Sequence, residues 1–584
     1  MKKKTRYLWL IAGCVLLAFG LLLWFVVGPS GPIVVSKRTT YLTAPLRDDG
    51  LVDYEKAIVE MQAAQVSPQE NAAVPFIQAM WPCQFDPQAQ VDVCGAIGIP
   101  IPSQTGMTSF HDEAMQLETA AWLNQQQETK LGANQFQPIA PLETMDILCA
   151  AYDVVWTRDQ LPPLAAWVDR QAPHFAKLRE MNERPKFFLP SPALVNQQHD
   201  TLLASTLPSV QVRRDASRAL TLRAFLHIGE NQPVEAWKDI QTIFSLSRCH
   251  SQPGFLIELL VCNAIRGVAF EQLLKLIDSG QCDAQLLDEI ERYLKRMKPF
   301  DEVASSINIM ERLAGLDAAI GLSTHEINAA HLTMGPSGML ETCANAPYDR
   351  NAMLAKLNQW YDRITAVVEI DDLDDRRAAR DQLEIDIHTE LQNVTQPGAV
   401  AAAILNQSAR GEMVAQMLAG LLIPAVSQAS QAEERVNAQR QLLLVVVALE
   451  KYKIETGTYP DTLTPLVDRI DPRLLQDPFA QGLLRYERRP PGYLLYSVFH
   501  NRQDDGGDSQ SGEIVDGDWT NGPPTNGYQN ADQVIRLPLP ARSLADMLPW
   551  NAQPVGGDST DSLEEKPGTE ASQVNSPQQD AAEE

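Results

Sequence analysis

The amino-acid sequence predicts a mainly α-helical protein with three parts: an N-terminal transmembrane helix, an irregular α-solenoid or helical bundle, and a small C-terminal α+β module. Three observations predict this class. An uncharged apolar run follows a basic N-terminus, helical periodicity dominates from about residue 112 to 421, and two strand-like runs near the C-terminus flank a proline-glycine turn. With 584 residues, the chain is long enough for three or more ordinary domains.

The N-terminal segment is predicted to cross a membrane once. Residues 1–6 are rich in Lys and Arg, and residues 7–27 are uncharged and almost wholly apolar, which matches the roughly 20 residues that a helix needs to span a bilayer. The basic end should stay in the cytoplasm by the positive-inside rule, which leaves everything after Pro29 outside. We therefore expect an inner-membrane protein with a periplasmic bulk. Ile11-Ala12-Gly13-Cys14 resembles a lipobox, so a lipoprotein is the alternative, but the apolar run continues well past Cys14 and favours a retained anchor.

The rest of the chain divides into four predicted regions. Residues 28–111 are loop-rich, with a stretch from Pro82 to Ser109 that is dense in Pro, Gly and Gln. Residues 112–430 form the helical domain, and residues 431–540 form the α+β module. Residues 541–584 are expected to be a disordered acidic tail, because Gly, Ser, Asp, Glu and Gln dominate it after Trp550.

The helical domain contains a pair of helices of the tetratricopeptide type. Apolar residues recur at helical spacing on both sides of the break Gly229-Glu230-Asn231-Gln232-Pro233. Further amphipathic runs span Phe255 to Ile277 and Ala284 to Met297. No fixed 34-residue period is present, so an irregular α-solenoid or bundle is the better description, and such folds bind other chains along a concave face.

A run of charges of both signs lies within the helical domain. It begins at Asp371 and continues through Arg376, Arg377, Arg380 and Asp381. A mixed-charge run on a helix is typical of a solvated surface. We therefore expect these side chains to face water rather than to form a binding site.

The α+β module begins with a helix whose apolar face ends at Gly457. The sequence Gly457-Thr458-Tyr459-Pro460 is typical of a helix stop, because glycine enters the left-handed conformation easily and proline cannot continue a helix. A short second helix is expected through Leu463, Leu466 and Val467. Two strands then follow, Leu483 to Glu487 and Tyr493 to Val498, joined through Arg489-Pro490-Pro491-Gly492.

This order of parts resembles the globular domain of type II secretion major pseudopilins. The residues that carry the resemblance are Ala448-Leu449-Glu450-Lys451-Tyr452-Lys453, Thr456-Gly457-Thr458-Tyr459-Pro460, Asp477-Pro478-Phe479, Tyr486, Tyr493, Leu495, Tyr496, Ser497 and Asp504-Asp505-Gly506-Gly507. In pseudopilins the apolar N-terminal helix leads directly into this module, whereas here a long helical region separates the two. Near the N-terminus, Thr39 to Leu46, Asp53-Tyr54 and Pro68 to Ala73 resemble the start of a group of exported, membrane-anchored proteins of planctomycete bacteria.

The glycine-rich loop from Asp504 to Asp518 is the candidate metal site. Acidic side chains on a backbone that folds tightly supply the hard oxygen ligands that calcium prefers, and the pseudopilin resemblance implies a structural calcium ion in the equivalent loop. The predicted ligands are Asp504, Asp505, Asp508 and Asp518, and the alternative is a solvated acidic loop.

Two cysteines form the best candidate disulfide if the bulk of the chain lies outside the cytoplasm. Cys83 and Cys94 are close in sequence within a loop-like run, and the outer compartment permits disulfides. Two buried thiols are the alternative. No C-x-x-C sequence occurs, so a structural zinc site of that type is not indicated.

The sequence carries no recognisable catalytic motif, and no catalytic or cofactor-binding residue is assigned. His325-Glu326 and His331 do not form the H-E-x-x-H pattern of zinc proteases, because the two histidines are separated by six positions and would lie on different helix faces. A net charge of −26 disfavours nucleic acid as a partner. We expect a non-enzymatic scaffold or adaptor of the cell envelope with protein partners, possible calcium and a link to secretion. The alternatives are an envelope hydrolase with a carboxylate-based site in the helical domain and a ligand-sensing module.

Overall fold

The protein is mainly α-helical and carries one small antiparallel sheet, as the sequence predicts. A computed structural model describes residues 26, 28–64, 66–132, 137–190, 202, 208–248, 254–297, 299–300, 302–327, 338–507, 532–540 and 542–550. Apart from Val26, the predicted membrane span lies outside these residues. Among the helices of the described chain, none is both long and apolar enough to cross a bilayer.

The first half of the described chain forms short and medium helices. These are α1 Tyr54–Ala63, α2 Ala73–Met80, α3 Pro87–Ala96, α4 Glu113–Leu131, α5 Met145–Ala150, α6 Pro162–Arg170, α7 Ala172–Arg179, α8 Pro208–Gly229 and α9 Pro233–Leu246. Helices α8 and α9 pack against each other and confirm the predicted helix pair.

The second half contains the longer helices. These are α10 Leu256–Asp278, α11 Ala284–Arg296, α12 Glu302–Ser305, α13 Arg312–Thr324, α14 Gly338–Asn345, α15 Arg350–Val368, α16 Leu373–Val394, α17 Pro397–Leu405 and α18 Gln407–Thr456. A π-helical segment, Ser306–Glu311, joins α12 to α13. Helices α10 and α11 confirm the two amphipathic runs predicted in this region.

Helix α18 is the spine of the molecule. It runs without interruption for 50 residues, from an N-cap in which the Asn406 side chain accepts a hydrogen bond from the Ser408 amide to a C-cap at Gly457. Gly457 takes a left-handed conformation with φ of 83°, as the predicted helix stop requires. The expected boundary between residues 430 and 431 falls inside this helix, so the helical body and the C-terminal module share one rigid element.

The C-terminal sheet has the order β1-β2-β3 with β2 in the centre. Strand β1 spans Arg485–Arg489, β2 spans Gly492–Ser497 and β3 spans Gln533–Leu537. The predicted hairpin is confirmed, but β1 starts and ends two residues later than expected. Its end is extended because Arg489 and Gly492 still pair, so that only Pro490-Pro491 form the turn. Strand β3 pairs antiparallel with β2 and was not expected from the sequence. Gly492 permits close strand pairing, since a side chain there would collide with the main-chain oxygen of Leu537.

Two buried apolar clusters hold these elements together. One includes Trp237, Val446, Leu495 and Ile535, and so joins helices α8 to α11, the C-terminal half of α18 and the sheet. The other includes Tyr361 and joins α13, α15, α16 and the N-terminal half of α18. Because both clusters contain residues of α18, burying apolar surface on both halves of this helix links the N-terminal and C-terminal parts of the chain.

Two regions differ from the sequence prediction. The segment 28–111 contains α1, α2 and α3, and α3 lies within the stretch Pro82 to Ser109 that was expected to be a loop. Asp86 caps α3 by accepting hydrogen bonds from the amides of Gln88 and Ala89, a local signal that the Pro and Gln content obscures. At the C-terminus, the first part of the expected disordered tail is folded, because a 3₁₀ turn at Leu544–Met547 buries Leu544 completely. The rest of that predicted tail, residues 551–584, lies outside the described residues.

Candidate functional site

Asp477 organises the part of the C-terminal module that borders the candidate site. Its Oδ1 accepts hydrogen bonds from the Phe479 amide at 2.9 Å and from the Ser497 hydroxyl at 2.7 Å, and its Oδ2 accepts one from the Val498 amide at 3.1 Å. A buried carboxylate with three donors fixes the end of β2 relative to the loop before β1. This arrangement gives a physical role to the Asp477-Pro478-Phe479 motif.

The predicted calcium loop is described only in part, since Asp508 and Asp518 lie outside the described residues. Asp504 accepts hydrogen bonds from Arg485 Nε at 3.0 Å and from the Tyr496 hydroxyl at 2.7 Å. These donors hold the pKa of Asp504 below its usual value, the Tyr496 hydrogen bond being the largest cause. Asp505 accepts a hydrogen bond from Asn501 Nδ2 at 2.8 Å. The two predicted ligands that the structure describes, Asp504 and Asp505, are therefore already hydrogen-bonded to other side chains.

Asp532, just before β3, completes the acidic cluster in three dimensions. Its Oδ2 accepts hydrogen bonds from the amides of Asp505 and Gly507. Burial, together with the charges of Asp504 and Asp505, raises its pKa. Within the described part of the chain, no group of three or more His, Cys, Asp or Glu side chains is arranged to hold a metal ion. The described residues of the loop do not form a calcium site by themselves.

The two predicted disulfide partners lie within the same buried cluster. Cys83 and Cys94 are both free thiols in the structure, so the predicted disulfide is not formed there. Burial and the nearby Cys94 raise the pKa of Cys83 far above its usual range. The structure thus has the alternative arrangement of two buried thiols, with Cys94 on α3.

His325 ends helix α13 rather than lying within a helix. It takes a left-handed conformation with φ of 63° at the C-cap, and His331 lies outside the described residues. Helix α13 therefore does not continue through the span that separates the two histidines, and the structure gives no support to a helical zinc-protease motif here.

A small cavity of about 150 Å³ lies between α6 and α8, within the helical domain where a carboxylate-based hydrolase site was the alternative prediction. Asp169 and Glu230 both line it. Asp169 is bound through both oxygens to Arg158, at 2.7 and 3.0 Å, and Glu230 Oε1 accepts a hydrogen bond from the Arg158 amide at 3.0 Å. His227 Nδ1 is hydrogen-bonded to Gln232 Oε1 at 2.8 Å, and burial lowers its pKa. Because Asp169 is held by a guanidinium, it is poorly placed to accept or donate a proton during a reaction.

A larger cavity of about 440 Å³ lies between α16, α18 and the loop after β2. We call it the arginine cleft. Its lining includes Arg377 and Arg380 from α16, Gln431 from α18, and His500 and Arg502 from the loop. The cleft therefore lies where the helical body meets the C-terminal module.

Glu434 of α18 is the buried carboxylate behind the arginine cleft. Its Oε2 accepts hydrogen bonds from Arg377 Nη2 at 2.9 Å and Nε at 3.2 Å, and its Oε1 accepts one from Arg380 Nη1 at 3.3 Å. The exposed fractions of these side chains are 8%, 8% and 12% for Glu434, Arg377 and Arg380. Two guanidinium groups thus share one carboxylate in a poorly hydrated environment.

Aromatic rings line the wall behind these charges. Arg377 Cζ lies 4.2 Å from the centre of the Phe479 ring, and the Phe499 ring packs against the rings of Phe479 and His500. Phe499 and Arg502 have left-handed backbone conformations, with φ of 47° and 56°. Strained backbone of this kind is maintained only where the surroundings fix it, and Asp477 fixes the preceding residues.

His500 is neutral in the arginine cleft. Its Nδ1 lies 3.5 Å from Glu434 Oε2. Burial and three neighbouring arginines lower the pKa of His500 to about 3, and a hydrogen bond with the main chain of Gln431 only partly offsets this. These arginines are Arg377, Arg380 and Arg435. The cleft is therefore electropositive on its inner wall, where His500 adds no charge.

The arginine cleft was missed by sequence reasoning, which placed Arg377 and Arg380 on a solvated surface. The acidic neighbours Asp371, Asp372, Asp374 and Asp375 are exposed as expected, but Arg377 is buried. Apolar spacing gives no signal for it, because the next buried residues of α16, Leu383 and Ile387, lie six and ten positions further on and so about 120° and about 80° away around the helix.

The search for similar proteins found no match. No protein-family model, no curated protein and no solved structure is significantly similar to this chain. The resemblance to pseudopilins and to exported planctomycete proteins therefore stays a prediction from sequence motifs.

Proposed function

We propose that the protein is a single-pass, membrane-anchored scaffold or adaptor of the bacterial cell envelope. Its N-terminus would lie in the cytoplasm, and its helical body and pseudopilin-like module would lie outside the inner membrane. It would bind protein partners, and a role beside the type II secretion machinery is the specific form suggested by the pseudopilin resemblance.

The observation that carries this proposal is an apolar surface beside the end of the predicted membrane span. Gln407 Nε2 donates a hydrogen bond of 2.8 Å to the main-chain oxygen of Gly28, the first residue after the span. Just before Gln407, helix α17 exposes Ile404 and Leu405, with exposed fractions of 59% and 65%. Helix α17 contains no charged residue. An exposed apolar helix next to an anchor is suited to lie against the surface of a bilayer.

The C-terminal end of α17 supports the same placement. Arg410 donates hydrogen bonds to the main-chain oxygens of Ala403 at 2.9 Å and of Ile404 at 3.0 Å. Main-chain oxygens at a helix end otherwise need water. Because the protein itself supplies these donors, the end of α17 can approach a lipid surface at a lower cost in free energy.

The proposed scaffold role is supported by helix α18, which belongs to both the helical body and the C-terminal module. Helix α18 packs against α10, α11, α15 and α16 and also against the sheet. A partner bound to the C-terminal module would therefore be held in a fixed orientation relative to the helical body. We do not propose the hydrolase alternative, since Asp169 of the small cavity is held through both oxygens by Arg158 and no feature of the sequence or of the described residues favours a reaction there.

The location is tested by protease treatment of intact spheroplasts that contain the full-length protein. We expect digestion of nearly all of the chain without lysis, because the bulk lies outside. Survival of the bulk until the cells are lysed would contradict the proposal. A pull-down from crosslinked membranes tests the partner: recovery of envelope or secretion components supports the adaptor role, and recovery of none counts against it.

The contact of α17 with lipid is tested on the full-length protein in phospholipid vesicles. A lipid-soluble photoactivated label should modify the segment 397–405, as read by mass spectrometry of its peptides. The matched control is Ile257 on α10, which is 53% exposed and should stay unlabelled. Equal labelling of both segments would show that exposure alone, and not the bilayer, explains the signal.

Calcium binding by the acidic loop stays a proposal. Asp504, Asp505, Asp508 and Asp518 would supply the oxygen ligands, and Asp504 would have to exchange Arg485 for the ion. We expect calcium, and not magnesium at the same concentration, to raise the thermal unfolding midpoint of the full-length protein. The Asp508→Asn variant should lose this response. No calcium-specific rise in the wild type would exclude the ion.

A further inference from the structure

We propose that the arginine cleft binds a small multivalent oxyanion, such as a phosphate or a compact polycarboxylate. This site is independent of where the protein lies in the cell and of the identity of its partners. It also uses none of the residues assigned to calcium.

The first argument is the balance of buried charge. Arg377 is buried, the Arg380 side chain is 12% exposed, and the carboxylate that they share is Glu434. His500 is neutral, and the remaining acidic residues of the cleft, Asp374 and Asp381, are exposed. Two positive charges thus face one negative charge on the inner wall. A dianion would remove this imbalance, because its charge would lie close to both guanidinium groups in an environment of low dielectric constant.

The second argument is an unused donor. Arg377 is buried, and its Nη1 has no hydrogen-bond partner among the described residues. Asp374 Oδ1 lies 3.7 Å from this Nη1, which is too far for a hydrogen bond. A buried guanidinium N–H without an acceptor is unfavourable. An oxyanion oxygen that takes the place of Asp374 beside Arg377 would accept from it.

The third argument is the position of Asp374. This side chain is 67% exposed, receives a hydrogen bond from Arg502 Nη2 and lies beside Arg377. It therefore sits at the mouth of the cleft as a weakly held carboxylate between two arginines. Exposed ion pairs of this kind contribute little free energy, so a multivalent anion can displace Asp374. The cavity volume of about 440 Å³ is sufficient for such a ligand.

Binding would join two parts of the molecule. Arg377 and Arg380 belong to α16 of the helical body, whereas Arg502 belongs to the loop after β2. An anion that contacts both sides would strengthen the attachment of the C-terminal module. Stabilisation of the whole protein is therefore the expected readout.

The test measures thermal unfolding of the full-length protein in detergent against increasing inorganic phosphate and, separately, citrate, with sodium chloride at matched ionic strength as the reference. We expect a saturable rise in midpoint with at least one of the two anions and none with chloride. Arg502→Gln, on the exposed rim, should weaken the apparent affinity about tenfold, because one charge-assisted contact is lost. Asp374→Asn should strengthen it severalfold, because the competing carboxylate is gone.

The matched control is Arg488→Gln on β1, an arginine of similar exposure that pairs with Asp461 outside the cleft. Its affinity for the anion should equal that of the wild type. Two results would overturn the proposal: a wild-type response no larger than that to sodium chloride, or an equal response in wild type, Arg502→Gln and Asp374→Asn. Because Arg502 and Asp374 are exposed, both variants should fold.

Discussion

Glu433 and Glu434 are neighbours on helix α18, yet they face two different regions of the molecule. Glu433 faces the helical body, where its Oε2 accepts hydrogen bonds from the amides of Glu302 at 2.7 Å and Val303 at 3.1 Å. Glu434 faces the arginine cleft and is paired with two guanidinium groups. Both side chains are buried. Consecutive helical residues point about 100° apart, and this rotation alone gives the two carboxylates different partners.

Burial alone does not decide whether a carboxylate stays charged, because the hydrogen-bond donors around it differ. Burial raises the pKa of Glu433 to about 7, because two amide donors and the more distant Arg266 only partly offset the loss of water. Glu434 instead has cationic hydrogen-bond donors on both oxygens. Removing the charge of Glu434 should therefore lower the free energy of unfolding, and removing the charge of Glu433 at high pH should raise it.

The largest effect is expected for Glu434→Ala. The substitution leaves the buried Arg377 and the largely covered Arg380 without their carboxylate, and breaking a buried ion pair in this way costs about 3–5 kcal/mol. Urea unfolding of the full-length protein in detergent measures the loss. The control is Glu455→Ala, near the end of the same helix, whose side chain is 53% exposed and pairs with Arg469; it should cost no more than about 1 kcal/mol. Equal losses in the two variants would contradict the assignment of Glu434 as the central buried charge.

The sequence predicted the helices and the hairpin because these depend on local patterns. Apolar spacing and the breaks at Gly229-Pro233 and Gly457 located α8, α9 and the end of α18, and two strand-like runs on either side of Pro490-Pro491-Gly492 located β1 and β2. Strand β3 was missed because more than thirty residues separate it from β2 in the sequence, and no local turn signal connects the two strands.

The candidate site was predicted less well, because its members meet only through packing of distant elements. Glu433 and Glu434 are identical in type and adjacent, so no sequence pattern tells which one faces arginines. Arg377 and Glu434 are 57 positions apart, and Arg502 comes from a third element. Only the tertiary contact between α16 and α18 converts a charge run that is typical of a solvated surface into a cleft.

The second-largest effect is expected for Glu433→Gln, whose change in stability should depend on pH. Its folded-state pKa of about 7 lies above the ordinary value of 4.5, so the folded protein binds more protons than the unfolded chain between these values. The contribution of Glu433 to stability is therefore fully present below about pH 4.5 and is lost as pH rises to about 7. Glu433→Gln keeps an acceptor for the two amides and cannot ionise. At pH 8 this variant should be more stable than the wild type, by up to about 3 kcal/mol.

The measurement is the difference in unfolding free energy between wild type and Glu433→Gln at pH 5 and at pH 8, which cancels the titration of the other groups. We expect the advantage of the variant to grow from pH 5 to pH 8. The same comparison for Glu455→Gln should be flat, since that side chain is exposed. An advantage that does not change with pH would mean that Glu433 is ionised throughout this range.

The smallest effect is expected for Asp374→Asn. This substitution tests how much the burial of a carboxylate matters when its partner, Arg377, stays the same. Asp374 and Glu434 both lie beside Arg377, but Asp374 is 67% exposed and Glu434 is 8% exposed. Water and salt screen the exposed pair, so the substitution should cost less than about 1 kcal/mol, and the cost should fall further as sodium chloride is raised. The loss in Glu434→Ala should change little with salt, because ions do not reach the buried pair. If both losses showed the same salt dependence, Arg377 would have to be solvated on both sides, and the cleft could not hold a buried positive charge.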